Sequence, residues 1–252
     1  VDATTVAAFG AAGVGGGAQI LSSWNPLATP AHNYTSSTTW SKPSSGYDDS
    51  AWVVFYLVGG GQGGNHAGSG GPNRGGSAAV IAGTMGDLPS SVSVVVGAGG
   101  AGANYNTYGN VGGDTTISAN SITFTAKGGD SQVSTPPVQL VFPDIGNPFG
   151  TSLPTELTLV AGDLPNVGVV FSGRRSTYGG GFGGQTNPNH QLSSGLSIGG
   201  TSVYAGAGGQ GRYYAAPTNG VAPGGGGGGS YTNRSFTSGS GGNGSVRVYY
   251  IT

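Results

Sequence analysis

Catalytic chemistry would have to come from very few side chains. Asp144, Glu156 and Asp163 form the one dispersed acidic group that folding could bring together, and acid–base or glycosidic cleavage needs two carboxyls facing the same bond. Asp48 and Asp49 are adjacent and read as a solvated turn. His32, His66 and His190 are far apart and flanked by Asn, Gly or Ala, without the spacing of metal ligands. The absence of cysteine removes thiolate sites and disulfides. Strings such as Gly97, Gly99 and Gly102 imitate a dinucleotide fingerprint, but Asn104-Tyr105-Asn106-Thr107 and another glycine loop follow where the phosphate-binding helix should begin. No phosphate-loop motif with its Gly-Lys-Ser/Thr ending is present. These residues predict no enzyme, no metal and no cofactor.

Binding chemistry is better represented. Aromatic and polar side chains cluster between glycine tracts: Tyr105 and Tyr108 in ANYNTYGN, Tyr178 and Phe182 near Arg174 and Arg175, Tyr213 and Tyr214 after Arg212, and Tyr231 and Phe236 around Arg234. Tyr offers a large amphipathic area at low entropic cost, Arg a fork of donors, and Ser, Gly and Asn adaptable hydrogen bonds, a mixture typical of recognition surfaces. The same aromatics could instead cap the ends of a glycine scaffold, where an apolar lid is needed.

Whatever holds these residues is rich in glycine. Of 252 residues 55 are Gly and only 7% are charged, without the strict three-residue repeat of collagen. Gly costs about 1 kcal/mol against Ala inside a helix, and no long segment shows helical apolar spacing. Short runs rich in Val, Ile, Thr and aromatics between glycine loops predict an all-β fold with sandwich-like strands. The expected strands lie at 51–58, 77–82, 91–96 and 245–251, with a hairpin over 115–125 turning at Ala119-Asn120. Further runs at 138–142, 157–160 and 167–171 fall in a region of about 131–173 with fewer glycines, read as an insertion. Eight Lys and Arg against nine Asp and Glu leave a net charge of -1, with no basic footprint for nucleic acid and no polybasic stretch for lipid. The longest apolar run, Trp52–Val58, is far short of the ~20 residues that span a bilayer, so no membrane insertion is predicted.

Seven tracts, at 59–64, 68–76, 97–102, 179–184, 206–211, 223–229 and 239–244, carry Gly or another small residue at most positions. They predict polyglycine-II-like rods with three residues per turn and ~3.1 Å rise, which form no internal hydrogen bonds and must donate to neighbouring rods. Their Cα–H groups can add contacts to carbonyls worth about 0.5–1 kcal/mol each.

Trp40, Lys42-Pro43, WVVFYLVGGGQGG (52–64), SVSVVVGAGGAG (91–102), GNVGGDTTI (109–117), FTAKGGD (124–130) and the closing GGNGSVRVYYIT (241–252) resemble the glycine-rich domain of bacteriophage tail-fibre and tail-tip proteins. The resemblance covers about 40–130 and 196–252. More loosely, the chain is similar to the glycine-rich adhesins at the tips of T-even-type long tail fibres, with polyglycine helices and variable receptor-binding loops. The resemblance implies a virion protein, a non-enzymatic adhesin binding a bacterial surface protein or glycan, with homotrimer and monomer both open. The alternative is a structural virion component that assembles subunits and binds no receptor. An adhesin should expose and cluster the arginines and tyrosines; a scaffold should bury them between subunits.

The domain is expected over 40–252. Residues 1–39 combine Gly13, Gly15, Gly16 and Gly17 with a Ser/Thr/Pro-rich stretch, and read as a segment attaching to other tail or fibre subunits, or as an arm folded back on its own domain. The start at Val1, without Met or a charged leader, reads as a processed product or a numbered fragment.

Overall fold

The computed structural model describes residues 24–66, 73–105, 107–130, 137–141, 156–160, 176, 178–184, 196–213, 215–230 and 236–252. Among them the regular elements are strands, with no helix. They are β1 (His32–Tyr34), β2 (Thr38–Ser41), β3 (Trp52–Val58), β4 (Ala78–Thr84), β5 (Ser91–Val95), β6 (Thr115–Ala119), β7 (Ile122–Ala126), β8 (Pro137–Val141), β9 (Glu156–Val160), β10 (Leu196–Ser197), β11 (Gly211–Arg212) and β12 (Ser245–Ile251). One sheet has the order β1-β12-β3-β4-β8-β9, a second β2-β5-β6-β7, and β10 pairs with β11.

The two larger sheets enclose an apolar core. Val53, Phe55 and Leu57 of β3, Ala79 and Ile81 of β4, and Val246 and Val248 of β12 face Trp40, Val92, Val94, Ile117 and Phe124 of the opposing sheet. Trp40 is fully buried, its ring edge-on to Phe55 with centroids 5.3 Å apart. The alternate residues of β3, Val54, Tyr56 and Val58, are buried too, in a second cluster with Val80, Tyr249 and Trp24 on the other face. Two-sided burial is why the sequence of β3 does not alternate, whereas the half-buried β5 reads Ser-Val-Ser-Val.

Tyr56 ties that second cluster to the glycine-rich part: its hydroxyl donates to the carbonyl of Tyr178, and the Arg247 guanidinium lies 5.8 Å from its ring centre. Burial pushes the Tyr56 phenol far above its ordinary range, and burial also raises Tyr249, Tyr178, Tyr250 and Tyr34. A raised phenol favours the neutral form in the folded state, so its contribution is complete below the unfolded value of about 10 and is lost as pH rises above it. The thermal midpoint is therefore expected to stay flat from pH 7 to about 9.5 and to fall steeply beyond pH 10, together with the appearance of tyrosinate absorbance. A midpoint that declines between pH 7 and 9 would contradict this account.

Two expectations change, and the region read as an insertion is placed in part. The β6–β7 hairpin turns at Asn120-Ser121, not Ala119-Asn120: both central residues have positive φ, 51° and 66°, as the twist of a two-residue hairpin demands. Residues 24–39 belong to the domain, because β1 pairs with β12 and Trp24 packs edge-on to Tyr56 and Tyr249. The boundary placed at 40 thus moves back, and residues 1–23 lie outside the described ones. Within the supposed insertion, β8 joins β4 in parallel and β9 follows antiparallel, so both strands extend the larger sheet; the run at 167–171 lies outside the described residues.

The glycine tracts form a lattice continuous with the sheets. β3 runs directly into residues 59–66, whose successive N–H groups donate to Ser77, Gly113, Gly242, Arg74, Asn110 and Gly239 carbonyls at 2.7–3.0 Å. The target segment changes with each residue and returns every third, as a three-residue helix requires. Carbonyls of the same tract accept from Gly100, Ala103, Gly129, Gly227 and Ser230, so six segments surround it. Residues 224–230 form a second such centre, donating in rotation to Val221, Gly181, Gln62, Thr218, Gly184 and Asn65 carbonyls.

Position in the lattice explains the glycine pattern. A Cβ on Gly61 would lie 2.1 Å from the Gly225 carbonyl oxygen, and one on Gly227 2.0 Å from that of Gly239. In the doubly surrounded tract 224–229 every residue is glycine and every residue is buried. The outer tract 97–103 buries Gly97, Gly100 and Ala103 but exposes Ala98 and Ala101, one residue in each turn.

Candidate functional site

The tracts that leave the sheets run side by side, and the segments that return to β4, β6 and β12 run beside them. Seven steps of ~3.1 Å carry residues 59–66 about 20 Å from the end of β3. At that far end lie Asn65, His66, Asn73, residues 103–105, Thr107, Tyr108, Gly184, Arg212, Ser230 and residues 236–238, brought together by contacts among the tracts. Loops there are separated from the sandwich by a scaffold whose interior has almost no side chains.

A buried polar layer closes this end. The Asn65 side-chain oxygen accepts from the Gly109 N–H at 2.9 Å, and its own N–H donates to Asn73 Oδ1 at 3.0 Å. Its carbonyl accepts from Ser230 N at 3.0 Å and Ser238 Oγ at 2.9 Å. The side-chain oxygen, backbone N–H and carbonyl of this one residue thus hold four segments in register. Asn suits this role because its amide oxygen accepts without carrying a charge. Buried His66 sits 5.6 Å, centre to centre, from the ring of Tyr105.

Above this layer Tyr105 is 67% exposed, Tyr108 52% and Phe236 37%. Thr107 donates from both N and Oγ1 to the Asn104 carbonyl, making a tight turn between the two tyrosines. Thr237 Oγ1 reaches Asn104 Oδ1 at 3.1 Å, which couples that turn to the segment carrying Phe236. Arg212 and Tyr213 are half-buried at the same end; Arg212 donates from Nη2 to Gln210 Oε1 at 3.2 Å. The structure therefore brings together Tyr105, Tyr108, Arg212, Tyr213 and Phe236 at the far end of the lattice.

Two of the expected binding residues lie elsewhere. Phe182 is 5% exposed in the middle of tract 178–184, an apolar plug within the lattice, since glycines on both sides keep it inside the rod and away from a loop. Tyr178 lies at the sheet end, half-buried with its ring 5.1 Å from Tyr204, and accepts the Tyr56 hydroxyl at its carbonyl. Tyr178 fills the capping role, whereas Phe182 packs inside the lattice. Arg174, Arg175, Tyr214, Tyr231 and Arg234 lie outside the described residues.

The acids and histidines considered for chemistry are described only in part. His32 sits at the opposite end of the molecule, with Nε2 3.1 Å from the Tyr250 hydroxyl, while His190, Asp144 and Asp163 fall outside the described residues. Among the described residues no three His, Asp or Glu side chains converge on a point. Sequence reading missed the Asn65 layer, although buried polar residues at 62, 65 and 66 directly after a glycine run were a visible sign of a tract end.

No curated protein matches the chain. The glycine-rich domain family matches residues 31–251, starting just before β1 and ending with the last residue of β12, which is also the extent over which sandwich and lattice share hydrogen bonds. By that match, the chain belongs to the glycine-rich domain family.

Proposed function

We propose that this protein is a non-enzymatic adhesin of a bacteriophage tail fibre or tail tip, acting on the virion and binding a bacterial surface protein or glycan. The observation that carries this reading is the convergence of Tyr105, Tyr108, Tyr213, Arg212 and Phe236 at the end of the lattice away from the sheets. Loops held on a rigid scaffold are where recognition commonly resides. Exposed tyrosines offer contact area with little ordering cost.

A second reading, a structural fibre or tail component, has its own support in the exposed Ile198, Val203 and Val221, apolar residues on the flanks of outer tracts where a neighbouring subunit of a homotrimer would pack. The two readings place the contact on different surfaces. In the test, labelled full chain is titrated onto intact and protease-treated cells of the candidate host, alongside a Tyr105→Ala/Tyr108→Ala variant and an Ile198→Ser/Val221→Ser variant. Saturable binding that the tyrosine pair weakens by about tenfold or more, with the flank variant unchanged, is the expected result. A folded chain that fails to bind, or whose self-association falls only in the flank variant, would replace the adhesin with the structural component.

A further inference from the structure

Net charge conceals a strong segregation. All nine Asp and Glu lie within residues 1–163, whereas residues 164–252 hold five arginines, no lysine and no acid. The tracts from 178 onward, which make up half of the lattice, thus come from a stretch whose charged side chains are all guanidinium groups. Among the described residues, the one ion pair is Lys127 to Asp114, beside the smaller sheet.

Two of these later tracts meet at the far end. Arg212 pairs with Ser230 in a parallel bridge, and its N–H donates to the Gly229 carbonyl at 3.1 Å. The Nε of Arg212 and the Oγ of Ser230 are both shielded from solvent and have no hydrogen-bond partner. Ser230 is 1% exposed. Buried donors left unmet are uncommon and costly, and a ligand is one explanation of them. Among the described residues, the side-chain partner of Arg212 is the neutral amide of Gln210.

An unmet Arg N–H and an unmet hydroxyl on bridged neighbours, with no acid among the described side chains shown to pair with the guanidinium, suit one chemical class. We infer that Arg212 and Ser230 form a subsite for a carboxylate carried by an acidic surface polysaccharide. The carboxylate replaces Gln210 on the guanidinium, taking a charge-assisted bond from the fork and a second from the Ser230 hydroxyl. Arg is suited to this and Lys is not, because the planar fork matches two carboxylate oxygens while an ammonium is a point charge. This inference names the ligand class for the adhesin proposed above and rests on that reading for its biological setting, but the subsite itself can be measured without cells.

The test titrates the full chain with polygalacturonate, with neutral dextran and with a glycerol-phosphate polymer. Saturable binding to polygalacturonate and none to dextran is expected. Arg212→Ala and Ser230→Ala should each weaken it about tenfold or more, and Arg212→Lys nearly as much, with unchanged thermal midpoints. Equal binding by the Arg212→Lys variant would show a diffuse charge effect and overturn the assignment, as would preference for the phosphate polymer or no binding to any of the three. Should any variant lose its fold, the wild-type preference between the three polymers still decides the matter. Binding to host cells without binding to polygalacturonate would sink the carboxylate subsite and leave the adhesin standing; Arg212-dependent polygalacturonate binding without cell binding would do the reverse.

Discussion

Gly227→Ala is expected to abolish cooperative folding or to cost about 4 kcal/mol or more, the size of change that requires a named packing fault. The added methyl would stand 2.0 Å from the Gly239 carbonyl oxygen and 2.8 Å from the Gly64 nitrogen, so two neighbouring backbones would have to retreat at once. Ordinary overpacking costs about 1–3 kcal/mol because side chains can turn aside. Backbone held by hydrogen bonds on three sides has no such freedom. Two controls isolate the cause. Ala98→Ser, on the exposed face of an outer tract, should be nearly neutral. Gly46→Ala meets nothing within 4 Å but has a φ of +93°, so it should cost only the roughly 1–2 kcal/mol of a left-handed conformation. Denaturant unfolding of the three variants gives the order directly, and a Gly227→Ala protein as stable as Ala98→Ser would refute the lattice.

Trp40→Ala is expected to cost about 3–5 kcal/mol, the range for removing a fully buried aromatic. The ring fills the centre of the sandwich against Phe55, and its Nε1 donates to the Tyr250 hydroxyl at 3.0 Å. For a domain of this size that corresponds to a fall in thermal midpoint of about 6–20 °C. Trp40→Phe keeps most of the apolar volume and should recover more than half of the loss. If both substitutions proved equally mild, the glycine lattice would be holding the fold with little help from the sandwich core.

These two residues also illustrate what the sequence makes legible. The alternation of Ser-Val-Ser-Val in β5 and the unbroken apolar run of β3 announce one-sided and two-sided burial. Six consecutive glycines at 224–229 announce a rod surrounded on every side. The strands β1 and β2, His-Asn-Tyr and Thr-Thr-Trp-Ser, are edge strands too short and polar to show a period. Their place depends on pairing with β12 and β5, partners that lie more than 200 and about 50 residues onward.

The site was half legible for a related reason. Tyr105 and Tyr213 follow the ends of glycine runs, whereas Phe182 stands inside GGGFGG and Tyr178 precedes it. A residue after a run that leaves the sheets reaches the far end; a residue before such a run stays beside the sheets. Composition treats all four alike, and only the direction of each tract separates them. The arginine-only charge of 164–252 was hidden in the same way, by averaging with the acidic first part of the chain.

The lattice interior also sets how this protein should respond to cold. Unfolding an apolar core raises heat capacity, while exposing peptide groups lowers it. Tracts such as 59–66 and 224–230 bury mainly peptide groups, each already bonded to another strand of backbone. Their release therefore offsets much of the heat-capacity increment from the sandwich, and the stability curve becomes broad and shallow. A molecule built this way keeps its shape over a wide span of temperature with a modest maximum stability.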